Sequence, residues 1–264
     1  MTLVAFFERL PLPIGALVVV GGFVLFSVLF AKLSRRFAPA DLLREHNELT
    51  GFTFAAIGVI YAVLLGFVAI GVWERYASAE EATYREASDL TVVYRDAATL
   101  PESAKLRRDV RAYTQAIITR GWPAMQSGSV SDVTETSAER IARDINKISP
   151  HNVREANLHE QMIDAMAGSL AARDLRVTED ATGLNGVMWV TVLLGGFITV
   201  GFTYLFGFKV SLMQTAMVGT LAFLIGLVIF LTMSLDYPFR GHIHVRPDAF
   251  ERALSTFDTI DAQR

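Results

Sequence analysis

Four long apolar segments that contain no acidic or basic residue constrain this chain more than any other feature. They cover residues 13–31, 51–73, 186–208 and 210–235. Each approaches or exceeds the roughly 20 residues that a helix needs to cross the hydrocarbon core of a bilayer. Apolar residues make up 52% of the chain, which exceeds the share typical of soluble domains. We therefore expect an all-α, four-span helical membrane protein with a helical extramembrane bundle.

The first segment is interpreted as a retained span and not as a signal peptide. Lys32, Arg35 and Arg36 follow it directly, and no small-x-small cleavage site stands at its end. The expected organisation is a transmembrane hairpin over residues 1–73, a helical bundle over 74–185, a second hairpin over 186–235 and a tail over 236–264.

The middle segment is polar and predicted to be helical. It holds 18 acidic and 14 basic residues, a net charge of −4, and is dominated by Ala, Glu, Arg, Leu and Asp. The second span should continue without a break to Leu100, since neither Gly nor Pro interrupts it after Trp73. Further helices are predicted over about 102–121, 133–148 and 152–177, with a loop beginning at Gly121.

The tail is predicted to contain a short amphipathic helix after Pro247. Its apolar stripe should pack on the middle bundle, and it consists of Phe250, Leu254, Phe257 and Ile260. His242 and His244 lie two residues apart and were considered as a metal pair. No third ligand is fixed beside them, so we interpret them as part of a surface turn and expect no metal site.

Several function classes are disfavoured by composition and motifs. The net charge of −3 gives no basic surface for nucleic acid, and the absence of cysteine excludes thiol nucleophiles and cysteine-based metal sites. No hydrolase, metalloprotease, phosphate-binding or dinucleotide-binding motif is present, so we expect neither an enzyme nor a cofactor. Proton-coupled transport is also disfavoured, because no acidic or basic side chain lies inside the four spans.

The second span carries the most informative pattern. Small residues recur on it at steps of three and four, which favours close helix packing within or between chains: Gly51, Ala55, Gly58, Ala62, Gly66 and Ala69. Tyr61 is a polar-tipped aromatic at mid-depth and could line a pore or bond a neighbouring helix. His46 and Asn47 precede the span and are candidates for a pore mouth, while a helix-entry role for Asn47 is equally compatible with its position.

The charges flanking the spans favour one orientation. Basic residues crowd the two short connections, including Lys32, Arg35, Arg44 and Lys209. By the positive-inside rule these connections face the cytoplasm, and the 74–185 bundle faces outward. Arginines also flank the spans on the opposite side, among them Arg75 and Arg240, which weakens the asymmetry.

The stretch from His46 to Leu100 and the tail together resemble a known membrane family. The residues that carry the resemblance are His46-Asn47, Gly58, Tyr61-Ala62-Val63-Leu64-Leu65-Gly66, Trp73-Glu74, Glu86-Ala87, Tyr94-Arg95, Asp236-Tyr237-Pro238-Phe239-Arg240-Gly241 and Val245. The chain resembles bestrophin-like domain proteins over nearly its whole length, with the same layout of two spans, a helical insert and two spans.

The resemblance implies a function. Bestrophins are oligomeric anion channels in which the second span forms a narrow hydrophobic neck. By analogy, the constriction here would come from Phe54, Ile57, Ile60, Tyr61 and Leu64. Bestrophins also hold calcium in an acidic clasp after the last span, but here only Asp236 stands at that position. Their large domain is cytoplasmic, which conflicts with the orientation that the flanking charges favour.

We therefore expect a homo-oligomeric ion channel of the cell membrane, with anions as candidate ions and the lipid bilayer as its surroundings. The alternative is a non-conducting membrane scaffold or sensor whose bundle binds a protein partner. The two hypotheses differ in one observable property, a continuous axial pore in the oligomer.

Overall fold

The structure is a computed structural model that describes residues 11–37, 47–100, 103–206 and 211–263. Within these ranges the regular structure is helical. In chain order the helices are α1 (Leu12–Phe37), α2 (Asn47–Thr99), α3 (Ala104–Ala116), α4 (Trp122–Gln126), α5 (Asp132–Asn146), α6 (Val153–Ala181), α7 (Gly186–Phe202), α8 (Leu212–Leu235) and α9 (Asp248–Ala262). A π turn over Ile117–Gly121 joins α3 to α4, and a 3-10 turn over Thr203–Leu205 extends α7.

Four helices are long and apolar enough to cross a bilayer, which confirms the four-span fold. The spanning candidates are Leu12–Leu33, Asn47–Thr99, Gly186–Leu205 and Leu212–Leu235. The uninterrupted continuation of the second span is also confirmed, since α2 runs for 53 residues. Its polar second half contains no helix-breaking residue, so nothing in the backbone ends the helix before Thr99.

The chain divides into two compact units. The membrane unit comprises Met1–Glu74 and Leu184–Asp236, and the bundle comprises Arg75–Gly183 and Tyr237–Arg264. Within the membrane unit α1 packs closely on α8 at Gly226, where an added Cβ would lie 3.0 Å from the backbone Cα of Val20. A glycine at this contact lets the two backbones approach, as small residues do in membrane helix pairs. Phe23 and Phe197 stack beside it, with ring centroids 4.5 Å apart.

The bundle has a hydrophobic core that includes the tail helix. Tyr94 on α2 stacks on Phe257 of α9 with ring centroids 4.0 Å apart, and Trp122 meets Phe250 edge-on at 5.7 Å. Phe250 and Phe257 are fully buried, and Leu254 and Ile260 pack against the same core. The predicted packing of the tail stripe on the bundle is therefore confirmed.

The predicted loop beginning at Gly121 is wrong. The chain stays helical through Gly121 and Trp122 to Gln126, and the connection follows at Ser127, with Gly128 at a φ of 79°. Two physical reasons account for this. The π turn shifts the hydrogen-bond register so that Pro123, which has no N–H, falls in the first turn of α4, where proline is tolerated. Helical geometry also buries the Trp122 side chain, whose Nε1 donates to the Val245 carbonyl at 3.1 Å.

Candidate functional site

The membrane half of α2 presents three distinct faces. One face packs within the chain and carries Tyr61, Leu65, Val68 and Val72, which are buried. Their spacing of four, three and four residues places them on one side of the helix. The small-residue stripe and a row of large apolar side chains occupy the other two faces. Contacts of α2 with lipid, ions or another copy of the chain are therefore made by the latter two faces.

Tyr61 bonds a neighbouring helix of the same chain, one of the two roles left open by its sequence position. Its hydroxyl donates to the Val192 carbonyl on α7 at 3.1 Å. The ring lies against Gly195 and Gly196, where an added Cβ would come within 2.6 Å and 2.8 Å of Tyr61 atoms. Only glycine leaves room for this ring, so the glycine pair of α7 and Tyr61 form one packing contact.

The remaining bulky candidates divide between two faces. Phe54, Ile57 and Leu64 are half-buried on the side of Tyr61. The Phe54 ring lies 5.9 Å from Phe206, beside an apolar cavity of about 520 Å³. Ile60 is 71% exposed and lies on another face, because consecutive helical residues diverge by about 100°. The five residues therefore do not converge on one surface of the single chain.

The small-residue stripe of α2 lies largely open. Ala55 and Ala62 are exposed, and Gly51, Gly58, Gly66 and Ala69 are half-buried. An added Cβ at Gly58 or Gly66 would meet no heavy atom within 4 Å in the part of the chain that the structure describes. Gly51 has only the Phe206 ring nearby, at 3.8 Å. Packing within the described chain therefore does not account for the stripe.

The structure adds a row of exposed apolar residues that the sequence reading did not single out. It consists of Phe52, Val59, Val63, Phe67 and Ile70, each more than half exposed. Successive members lie seven, four, four and three residues apart, so they share one helix face. The spacing can be read from the sequence. The sequence does not show which face of α2 is exposed, because the exposed and buried faces are both apolar.

The two other candidate sites are the pore mouth and the histidine pair of the tail. His46 lies outside the described residues, and Asn47 is the first residue of α2. His244 contacts the Gly241 carbonyl through Nδ1 at 2.9 Å. Among the described residues no group of three His, Asp or Glu side chains is arranged to hold a metal ion.

Asp236, the acid that the resemblance compared with the bestrophin calcium clasp, makes its hydrogen bonds inside the membrane unit. Its carboxylate is 1% exposed and accepts from the Leu184 backbone N–H at 2.8 Å and from Trp189 Nε1 at 3.3 Å. These bonds tie the end of α8 to the start of α7, which is a structural role for Asp236.

The bundle contains a buried polar cluster that sequence reading missed. Arg176 Nε donates to Glu86 at 2.8 Å, and the Tyr113 hydroxyl donates to the other carboxylate oxygen at 3.0 Å. Burial first, and the Glu86 charge second, raise the pKa of Tyr113 well above its usual value. The Arg176 guanidinium also lies 5.4 Å from the Trp122 ring and 5.8 Å from Phe250. The ion pair of Glu86 and Arg176 joins α2 to α6 in the interior of the bundle.

Comparisons with known proteins agree with this architecture. The chain is similar to a crystal structure of a bacterial bestrophin homologue from Klebsiella pneumoniae carrying one mutation, with a TM-score of 0.68, 13% identity and coverage of 94% of this chain and 99% of that chain. Two further crystal structures, each described as a membrane protein with a proline-to-alanine substitution, give TM-scores of 0.64 and 0.62, at 10% and 13% identity. They cover 93% and 94% of this chain, and 98% and 99% of theirs. No curated protein matches the chain.

The sequence itself matches a family model described as the Bestrophin-like domain over residues 21–250. This range includes the second part of α1, the other three spans, the bundle segment 75–183 and the start of the tail helix, so it covers well over half of the 264 residues. The chain is therefore an integral membrane protein that belongs to the bestrophin-like domain family.

Proposed function

We propose that the chain forms a homo-oligomeric ion channel of the cell membrane in which α2 contributes to the pore. Family membership supports a channel, and the resemblance to bestrophins makes anions the first ions to test. The observation that carries the proposal is the exposure of α2, which is the least buried of the four spans. Buried residues make up 22% of its most apolar stretch, against 39% for α7 and for α8.

The open small-residue stripe supports assembly between copies. Lipid tails can cover any apolar surface, so exposure alone does not require a partner. A run of glycine and alanine is different, because in bilayers small residues favour close helix contact. Gly58 and Gly66 have no such contact within the described chain. A neighbouring copy of the chain would supply it.

The exposed apolar row supports a hydrophobic constriction. Val63 and Phe67 belong to this row, and Ile60, which is also exposed, lies beside it within two turns of α2. We propose them as the pore-facing residues, and assign Phe54, Ile57, Tyr61 and Leu64 to positioning α2 against its own chain. A narrow apolar ring can gate ions by excluding water, and this mechanism needs no charged residue in the span.

Ion flux from reconstituted protein tests the proposal. Purified full-length protein in liposomes should release trapped chloride faster than empty liposomes do, and replacement by a larger anion should slow the release. A scaffold of the same oligomeric size would give only the rate of empty liposomes. That result, obtained with folded protein in several salts, would favour the scaffold hypothesis.

Assembly through the stripe gives a first mutational prediction. Gly58→Leu and Gly66→Leu should shift the protein from oligomer toward monomer, since overpacking a close contact costs roughly 1–3 kcal/mol. Mass measurement in detergent or nanodiscs reports the change. Gly22→Leu on α1 is a matched control, because Gly22 is exposed and has equal space around it. A monomeric wild-type protein would refute the homo-oligomer.

Orientation gives a second prediction. By the positive-inside rule the flanking charges favour a bundle outside the cell, and the absence of native cysteine makes single engineered cysteines informative. A thiol reagent that does not cross membranes should label Ser127→Cys in intact cells, since Ser127 is exposed. It should not label Ala38→Cys, a position outside the described residues. The opposite labelling would establish the orientation that the bestrophin resemblance implies.

A further inference from the structure

We propose that the bundle binds a small monovalent inorganic anion, such as chloride, at Ser169 and Arg173 of α6. This site is separate from α2 and does not depend on whether the protein conducts. The argument rests on two buried hydrogen-bond donors that lack acceptors and on one buried positive charge that lacks a buried counter-charge.

Ser169 is the first of the two donors. It is 1% exposed, and its Oγ finds no hydrogen-bond partner among the described residues. Helical hydroxyls in this bundle ordinarily donate to the carbonyl four residues earlier, as Thr83 does to Ala79 and Thr114 to Val110. This bond is available to any helical serine. Because the buried Ser169 does not use it, its hydroxyl remains available for another acceptor.

Arg173 is the second donor and supplies the charge. The residue is 7% exposed, and its Nε has no partner in the described part of the chain. In the described part of the chain it forms an ion pair with Asp174, at 3.6 Å, and that carboxylate is 77% exposed and therefore hydrated. Residues four apart on a helix are neighbours, so Ser169 and Arg173 lie on the same face of α6.

The carboxylate of the buried cluster is already used. The two oxygens of Glu86 accept from Arg176 and Tyr113. Arg173 lies near this cluster, since its charge and that of Arg176 both oppose the rise in the Tyr113 pKa that burial and Glu86 cause. Asp180, a second buried carboxylate near Arg176, accepts from Arg240 and is therefore also used. With Arg240 included, the cluster holds three arginines and two carboxylates, so one positive charge is left over. A buried charge is costly unless it is paired, and a bound anion would pair it.

The chemistry limits the ligand to a small monovalent anion. One charge balances one arginine, and an anion can accept from the Ser169 hydroxyl and from Arg173 Nε at once. A water molecule would satisfy the two donors but would leave the charge unbalanced. A divalent oxyanion would bring excess charge and would need more donors than these two side chains provide.

Thermal unfolding of the purified full-length protein tests the site. Gluconate is replaced stepwise by chloride at constant ionic strength, and unfolding is followed by tryptophan fluorescence. The unfolding temperature should rise and saturate, because a ligand that binds only the folded state stabilises it. Ser169→Ala should raise the half-saturating chloride concentration about two- to tenfold, the effect of losing one hydrogen bond. Arg173→Gln should remove the saturable rise.

A control and a direct measurement separate this site from general salt effects. Arg246→Gln removes an arginine whose side chain is 75% exposed, and it should leave the chloride response unchanged. Bromide-soaked crystals should show an anomalous peak within hydrogen-bond distance of both donors. If Arg173→Gln does not fold, the chloride response of Ser169→Ala and the bromide peak still test whether the anion site exists. Equal chloride responses in wild type and Ser169→Ala, or a site without bromide, would refute the proposal.

Discussion

Glu86→Gln is expected to destabilise the protein strongly. The substitution keeps the shape of the side chain but leaves the Arg176 charge buried without its carboxylate. Burial would lower the Arg176 pKa, yet the charge and hydrogen bond of Glu86, with smaller contributions from Tyr113 and Asp180, outweigh this effect and the pKa is raised. Loss of one partner of a buried pair typically costs about 3–5 kcal/mol. For a chain of this size we expect the unfolding temperature to fall on the order of 10 °C.

The matched comparison is Lys105→Gln. Lys105 contacts Asp144 at 2.5 Å, but its side chain is 65% exposed, so the unfolding temperature should hardly change. The double variant Glu86→Leu with Arg176→Met should recover part of the loss, since an apolar pair of similar volume carries no unpaired charge. A Glu86→Gln protein as stable as Lys105→Gln would contradict the structural role assigned to the pair.

Much of the fold was predictable because it depends on local signals. Four uncharged segments of membrane length determine the spans, and the absence of Gly and Pro after Trp73 allows α2 to continue. The stripe from Phe250 to Ile260 has helical period, so its burial follows from the same pattern. The loop at Gly121 was mispredicted because the burial of Trp122 and the π turn before Pro123 are tertiary effects that outweigh local turn signals.

The candidate site was less predictable for a different reason. In a membrane helix the buried and lipid-facing sides are equally apolar, so hydropathy does not distinguish Tyr61 from Ile60. The contact with Gly195 and Gly196 and the hydrogen bond to Val192 show that Tyr61 faces its own chain. The pairing of Glu86 with Arg176 likewise cannot be inferred from residue spacing, because the two lie 90 residues apart in sequence. Both depend on which helices become neighbours.

Conduction should respond to the exposed face of α2 and not to Tyr61. If Ile60, Val63 and Phe67 line a dewetted constriction, then Ile60→Ala or Phe67→Ala should widen and wet it. We expect chloride flux from liposomes to increase on the order of tenfold, which corresponds to lowering the barrier by about 1.4 kcal/mol. Flux is measured per oligomer, after mass measurement shows that the variant assembles as the wild type does.

Two comparisons test this assignment of faces. Leu194→Ala on α7 removes a comparable side chain that is 55% exposed, and it should leave flux unchanged. Tyr61→Ala should lower the unfolding temperature, because the ring fills the space beside Gly195 and Gly196 and its removal leaves a cavity. If flux instead rises for Tyr61→Ala and stays constant for Ile60→Ala and Phe67→Ala, the pore follows the bulky face that the bestrophin resemblance suggested. The exposed row then faces lipid or a neighbouring copy.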